Sequence, residues 1–141
     1  MSYTKILIHA VWATKDRKKF LQNENMATMR DHISAYAKTK DIHIINVNGF
    51  ENHIHCFISM SSHQNIATIM NLIKGESSHW ANKNLKMTEK FGWQDDYFAV
   101  SVSQSQFNVV NEYINNQYEH HHIKSFQEEY DEFIKDYNFE D

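Results

Sequence analysis

Two short apolar segments, 42 to 48 and 53 to 60, follow one another in the chain with only a turn containing Gly49 between them. They are too short for ordinary helices and rich in β-branched residues such as Ile44, Ile45, Val47, Ile54 and Ile58, so they predict an antiparallel hairpin. On either side the period changes. Met26, Met29, Ile33, Tyr36 and Ala37 recur at steps of three and four, which predicts a helix over 22 to 39 with one apolar stripe; Ile66, Ile69, Met70, Ile73 and Trp80 mark a second helix in the same way. The segments 3 to 13 and 97 to 103 return to strand-forming residues. The resulting order, β-α-β-β-α-β, is that of the α+β, ferredoxin-like split βαβ fold: an antiparallel sheet with its helices packed on one face.

Two further helices extend past that unit. The first spans about 106 to 118, with Ser105 as its candidate cap. The second begins at a capping box, Ser125 to Glu128, and carries Phe126, Tyr130, Phe133, Ile134 and Tyr137 on one stripe. Proline is absent, and the glycines stand only at 49, 75 and 92, so no stretch has the composition of a linker. With 141 residues, 41% of them hydrophobic, the chain is expected to form a single domain over 1 to 141 with a core of its own.

The absence of a long apolar run or a signal-peptide pattern leads us to expect a cytoplasmic protein with no membrane partner. Its one cysteine, Cys56, excludes an internal disulfide or a multi-cysteine zinc site and reads as a small buried hydrophobe. A net charge of -4 runs against phosphate binding, but it is unevenly distributed. Residues 1 to 111 hold 12 basic and 9 acidic residues, while 112 to 141 hold 2 basic and 9 acidic. The run Lys15-Asp16-Arg17-Lys18-Lys19 is the densest basic patch, with Lys15, Arg17 and Lys18 as candidate DNA contacts, and Lys74 beside Gly75 is a further candidate phosphate contact; each is equally readable as a solvated surface residue.

His53 and His55 flank Ile54, so on a strand both imidazoles leave the same face and converge on one point. Such a pair supplies half of a small coordination sphere, but with ten histidines in the chain the pair alone decides nothing. Tyr113 and Gln117 stand four apart on the helix at 106 to 118, hence on one face. A tyrosine hydroxyl is a covalent nucleophile only with a base or a polarised electrophile nearby, and an amide oxygen is a neutral metal donor. A helical tyrosine also serves simply as a packing residue. His120, His121 and His122 point about 100° apart if helical and cannot share one metal, so they read as a helix end or linker. Trp80 and Trp93 are candidate stacking platforms for bases, although Trp80 continues an apolar stripe.

Taken in order along nearly the whole chain, several segments resemble the single-tyrosine, HUH-type transposases of insertion sequences, the IS200-like family. They are Val11-Trp12-Ala13-Thr14-Lys15, His53-Ile54-His55, Lys74-Gly75-Glu76-Ser77-Ser78, Phe98-Ala99-Val100-Ser101-Val102, Tyr113-Ile114-Asn115-Asn116-Gln117, and Glu119-His120-His121 before Ser125-Phe126-Gln127-Glu128-Glu129. The resemblance implies that His53 and His55 are metal ligands, Gln117 a third ligand and Tyr113 the nucleophile. It implies magnesium or manganese as the ion, and cleavage and rejoining of single-stranded, hairpin-bearing DNA through a 5′-phosphotyrosine. It also implies a homodimer in which one subunit's tyrosine helix completes the other's histidine site. The chain departs from the family at Asn52, where aspartate is common before the first histidine, and in its acidic last helix. Those departures motivate an alternative: an inactive single-stranded nucleic-acid-binding module on the same fold.

Overall fold

The computed structural model describes residues 2 to 121 and 124 to 137. Strands β1 (Ile6–Ala13), β2 (His43–Phe50), β3 (His53–Met60) and β4 (Phe98–Val102) form one antiparallel sheet in the order β2-β3-β1-β4, with α1 (Glu24–Thr39) and α2 (Ile66–Asn84) in the crossovers. This is the ferredoxin-like arrangement expected from the order of patterns. The hairpin between β2 and β3 is tight enough to require Gly49, where a Cβ would sit 2.0 Å from the His53 carbonyl oxygen.

Alternation along the two central strands sorts their side chains by face. Ala10 and Trp12 of β1, with Ile54, Cys56 and Ile58 of β3, face α1 and α2 and join Met29, Ile33, Ile69, Met70 and Ile73 in the main core. Burial among these groups pushes the Cys56 thiol pKa well above its ordinary value, as an inert packing residue requires. The opposite face, with Leu7, His9 and Val11 of β1 and His53, His55 and Phe57 of β3, is covered by the C-terminal helices α3 (Phe107–Asn115), α4 (Gln117–His121) and α5 (Phe126–Asp136). The sheet is therefore covered on both faces, and from His53 to Ile58 β3 is at most 0% exposed.

Two expectations about the C-terminal segment need correction. The helix read as continuous over 106 to 118 breaks at Asn116 (φ -96°, ψ 25°), the second of two consecutive asparagines of low helix propensity, and Gln117 opens α4 instead of standing in the tyrosine helix. Ser105 does not cap α3: it lies in a 3-10 turn and its hydroxyl pairs with that of Ser103. The Ser125 cap is present, its Oγ accepting from the Glu128 N–H at 3.2 Å. Among the described residues no helix is long and apolar enough to cross a membrane.

Candidate metal and nucleophile site

The hairpin period places His53 and His55 side by side on the face away from the main core, as expected. The third and fourth partners come from the C-terminal segment: His121 ends α4, and Glu129 stands one turn into α5. One donor atom from each of His53, His55, His121 and Glu129 lies within 4.8 Å of all the others. Glu129 Oε1 is 3.4 Å from His53 Nε2, 3.1 Å from His55 Nε2 and 3.2 Å from His121 Nε2. Gln117 Oε1 reaches the same centre, 3.1 Å from His53 Nε2, while its Nε2 donates to the Tyr113 carbonyl at 3.2 Å. The helix break has thus not separated Gln117 from the tyrosine.

The other carboxylate oxygen of Glu129 meets the tyrosine. Tyr113 Oη donates to Glu129 Oε2, and His120 Nε2 lies 3.2 Å from both atoms. Tyr113 itself is half-buried, packed with its α3 neighbour Ile114 against Leu7 and Phe57 on the sheet. Asn46 and Asn48 of β2 anchor α3 from the side: Asn46 Nδ2 donates to Asn111 and Asn115 Oδ1, and Asn48 Nδ2 to the Ile114 carbonyl at 2.9 Å.

Each histidine is oriented through its other nitrogen. His53 Nδ1 lies 3.0 Å from Asn52 Oδ1, His55 Nδ1 lies 2.8 Å from His9 Nε2, and His121 Nδ1 donates to the Lys124 carbonyl at 2.7 Å. Asn52, the departure from the family pattern, therefore does by its amide oxygen what an aspartate would do by a carboxylate. Rings close the site: Phe126 stacks on His53 with centroids 4.1 Å apart, and Phe133 packs edge-on against His9, His55 and Tyr113.

Burial sets the charge states. It lowers the His9 and His121 pKa values to about 3, helped by His55 and His53 respectively, and it lowers that of His55. At Glu129 burial acts the other way and would raise the pKa. Hydrogen bonds from His53 and His55, with their charge, outweigh it and hold the carboxyl at about 2. Burial favours the neutral imidazole at His55 and His121, the form in which histidine ligates a metal.

The remaining candidates fall elsewhere. Arg17 lies over the rings of Phe126 and Tyr130 and donates to Gln127; Lys18 pairs with Glu89; Lys15 is exposed on the same 3-10 turn. Lys74 is spent on loop backbone, its Nζ donating to the carbonyls of Gln94 at 2.7 Å and Asp95 at 2.8 Å, and burial lowers its pKa. Trp93 is core, donating to Ser77 Oγ, and Trp80 is half-buried and stacked on His32. The histidine run does end a helix, but its bland reading missed that His120 and His121 both reach Glu129; His122 lies outside the described residues. Glu129 and His9 were missed as well. A signal existed for Glu129: it falls within the stripe of Phe126, Tyr130 and Phe133, an acid on an apolar helix face.

A buried histidine and carboxylate centre that could hold a metal ion thus lies beside a tyrosine on a ferredoxin-like sheet. The chain matches the family model described as "Transposase IS200 like" over residues 2 to 117, and it belongs to that family. Solved structures share the fold. A Deinococcus radiodurans protein described as a candidate transposase superposes with a TM-score of 0.66 at 22% identity, covering 82% of this chain and 93% of that one. A REP-associated tyrosine transposase bound to a REP hairpin gives 0.64 at 15% identity, covering 86% of this chain and 72% of the other. No curated protein matches the chain.

Proposed function

We propose that this transposase-family chain cleaves and rejoins single-stranded DNA, with Tyr113 as nucleophile beside a divalent-cation site that includes His53, His55 and Gln117. The observation that carries this reading is the convergence of the Tyr113 hydroxyl and the paired histidines on one carboxylate, Glu129. The donor set fits a cation. A tetrahedral ion with ligands at about 2.0–2.2 Å spaces its donors roughly 3.3–3.6 Å apart; the three imidazole nitrogens lie 3.1 to 3.4 Å from Glu129 Oε1, and all four donors lie within 4.8 Å of one another.

Tyr113 Oη would attack a backbone phosphorus, forming the tyrosyl O–P bond as the bond to the 3′ oxygen breaks. Glu129 Oε2 is the acceptor in place for the hydroxyl proton, and an equivalent proton goes to the departing 3′ oxygen. The products are a 5′-phosphotyrosine and a 3′-hydroxyl. Reversal by another 3′-hydroxyl rejoins the strand without a nucleotide cofactor, because the phosphodiester energy is kept in the tyrosyl ester. When bound, the cation supplies positive charge to the phosphate oxygens as negative charge develops there. His120, beside the Tyr113 hydroxyl, has a side chain 25% exposed. Arg17 lines a 420 Å³ cavity bordered by Tyr97, Phe126 and Tyr130, suited to a strand with an unstacked base, and Lys15 and Lys18 line the cavity next to it. The hairpin held by the REP-associated relative supports hairpin-bearing DNA as the substrate.

The test is incubation of the protein with labelled single-stranded DNA from the flanks of its own gene and manganese, followed by denaturing electrophoresis. A covalent adduct absent from Tyr113→Phe is the expected result. Folded, metal-loaded protein that forms no adduct on any flank would transfer the reading to the inactive binding module.

The homodimer implied by the family resemblance has two ways to place its tyrosine. Tyr113 contacts the cluster of its own chain, supported there by Asn46 and Asn48, which favours a site complete in cis. Mixing Tyr113→Phe with the His53→Ala, His55→Ala double variant should then give no activity. Partial recovery after verified subunit exchange would favour the trans arrangement.

A further inference from the structure

We propose that α5 is part of the metal centre: His121 and Glu129 join His53 and His55 of the same chain as ligands, with the Gln117 amide oxygen at the same centre, and Glu129 links the ion to the nucleophile. This rests on the metal-dependent reading above and extends it with two donors that lie past residue 117, where the family match ends.

The argument starts from lone pairs. A carbonyl oxygen only accepts, so the 2.7 Å contact between His121 Nδ1 and Lys124 O fixes the Nδ1 proton, and in the neutral ring Nε2 carries a lone pair. That lone pair points at Glu129 Oε1 from 3.2 Å. His53, with Nδ1 against the Asn52 amide oxygen, presents Nε2 to the same oxygen from 3.4 Å. Electron pairs converging on an anionic oxygen repel one another unless a cation lies among them. Metal-ligating histidines commonly have the noncoordinating nitrogen anchored, as all three do here. Glu129 then acts through both oxygens, Oε1 toward the ion and Oε2 toward Tyr113 Oη.

The chemical class of the ion follows from the donors. Three imidazoles and one carboxylate suit zinc, cobalt or manganese, whereas magnesium favours oxygen ligands and keeps much of its water. The site is also buried, with Glu129 1% exposed and His53 and His55 0% exposed, leaving little space for a hydrated ion.

Titration of the chelator-stripped, full-length chain with Co2+, followed by calorimetry and visible absorption, tests this without reference to activity. Wild type should bind one ion per chain with the intense bands of low-coordinate cobalt, and excess Mg2+ should not displace it. Loss of an anchoring partner alone typically weakens binding about 10–100-fold, so Glu129→Gln and His121→Ala should each lose at least that much and dim the bands. Glu129→Asp should recover part of the loss, and circular dichroism of the metal-free variants verifies the fold. Unchanged affinity in both variants, with loss in His53→Ala, overturns the inference and leaves the cleavage reading standing. Tighter binding by Glu129→Ala also overturns it, because the carboxylate would then be a plug competing with the ion. Displacement by Mg2+ overturns the assignment of ion class. A folded wild type that binds no ion removes the metal-dependent reading together with this inference.

Discussion

The two faces of the sheet use the same strands for opposite purposes. On β3, Ile54, Cys56 and Ile58 point into an apolar core against α1 and α2, while His53, His55 and Phe57 point toward the C-terminal helices. Both faces are equally buried. On the first, burial itself stabilises, at about 25 cal/mol per Å² of apolar surface. On the second, burial opposes charge, and the carboxylate of Glu129 is tolerated only because histidines and Tyr113 surround it. One face supplies stability, and the other holds polar groups in positions they would not keep in water.

Substitutions should separate these roles, beginning with those that abolish chemistry. Tyr113→Phe removes the attacking oxygen and should eliminate the covalent adduct, with a circular dichroism spectrum like wild type. His53→Ala or His55→Ala should also abolish cleavage in a folded chain and reduce manganese binding in calorimetry. Unfolding of these variants, or unchanged metal affinity, would place His53 and His55 with the structural face.

Ile58→Ala, on the other side of the same strand, should cost about 2–5 kcal/mol of stability, in the range for a buried isoleucine cut to alanine. Denaturant unfolding would measure it, and the adduct yield per folded molecule should not change. Metal sharpens the contrast. At a free concentration 100-fold above Kd, a bound ion should stabilise the wild type by about 2.7 kcal/mol. Ile58→Ala should keep that increment in thermal unfolding, and His53→Ala should lose it.

Acid should act on the histidine face alone. His9 and His121 are held at about 3 in the folded chain, below the ordinary 6.5, so the unfolded chain binds the extra protons between those values. Metal-free stability should therefore fall as pH drops below about 6.5. Glu129, lowered from 4.5 to about 2, adds a loss in the same direction at lower pH. A melting temperature flat from pH 7 to pH 4 would contradict this account. The smallest effect is expected at Ser125→Ala, which removes the cap of α5 and should cost about 1 kcal/mol. Because α5 carries Glu129, metal affinity should weaken with it, whereas capping changes at Asn65 of α2 should leave affinity unaltered.

The sequence by itself determined what depends on neighbours in the chain. Period-two and period-3.6 patterns placed the strands and helices, the βαββαβ order limited the sheet to one arrangement, and the spacing of His53 and His55 put both rings on one face. Ser125 announced the start of α5 through local capping chemistry. Tertiary structure decided what depends on distance across the fold. Glu129 meets His55 across 74 positions and His9 meets it across 46, and no local period relates such residues. The break at Asn116 belongs with these, since two asparagines weaken a helix without ending it, and the docking of α3 and α4 on the sheet determines where the chain turns. Local pattern sets which way a side chain leaves its own element, but the partner it meets depends on how elements pack, and that is a property of the whole chain.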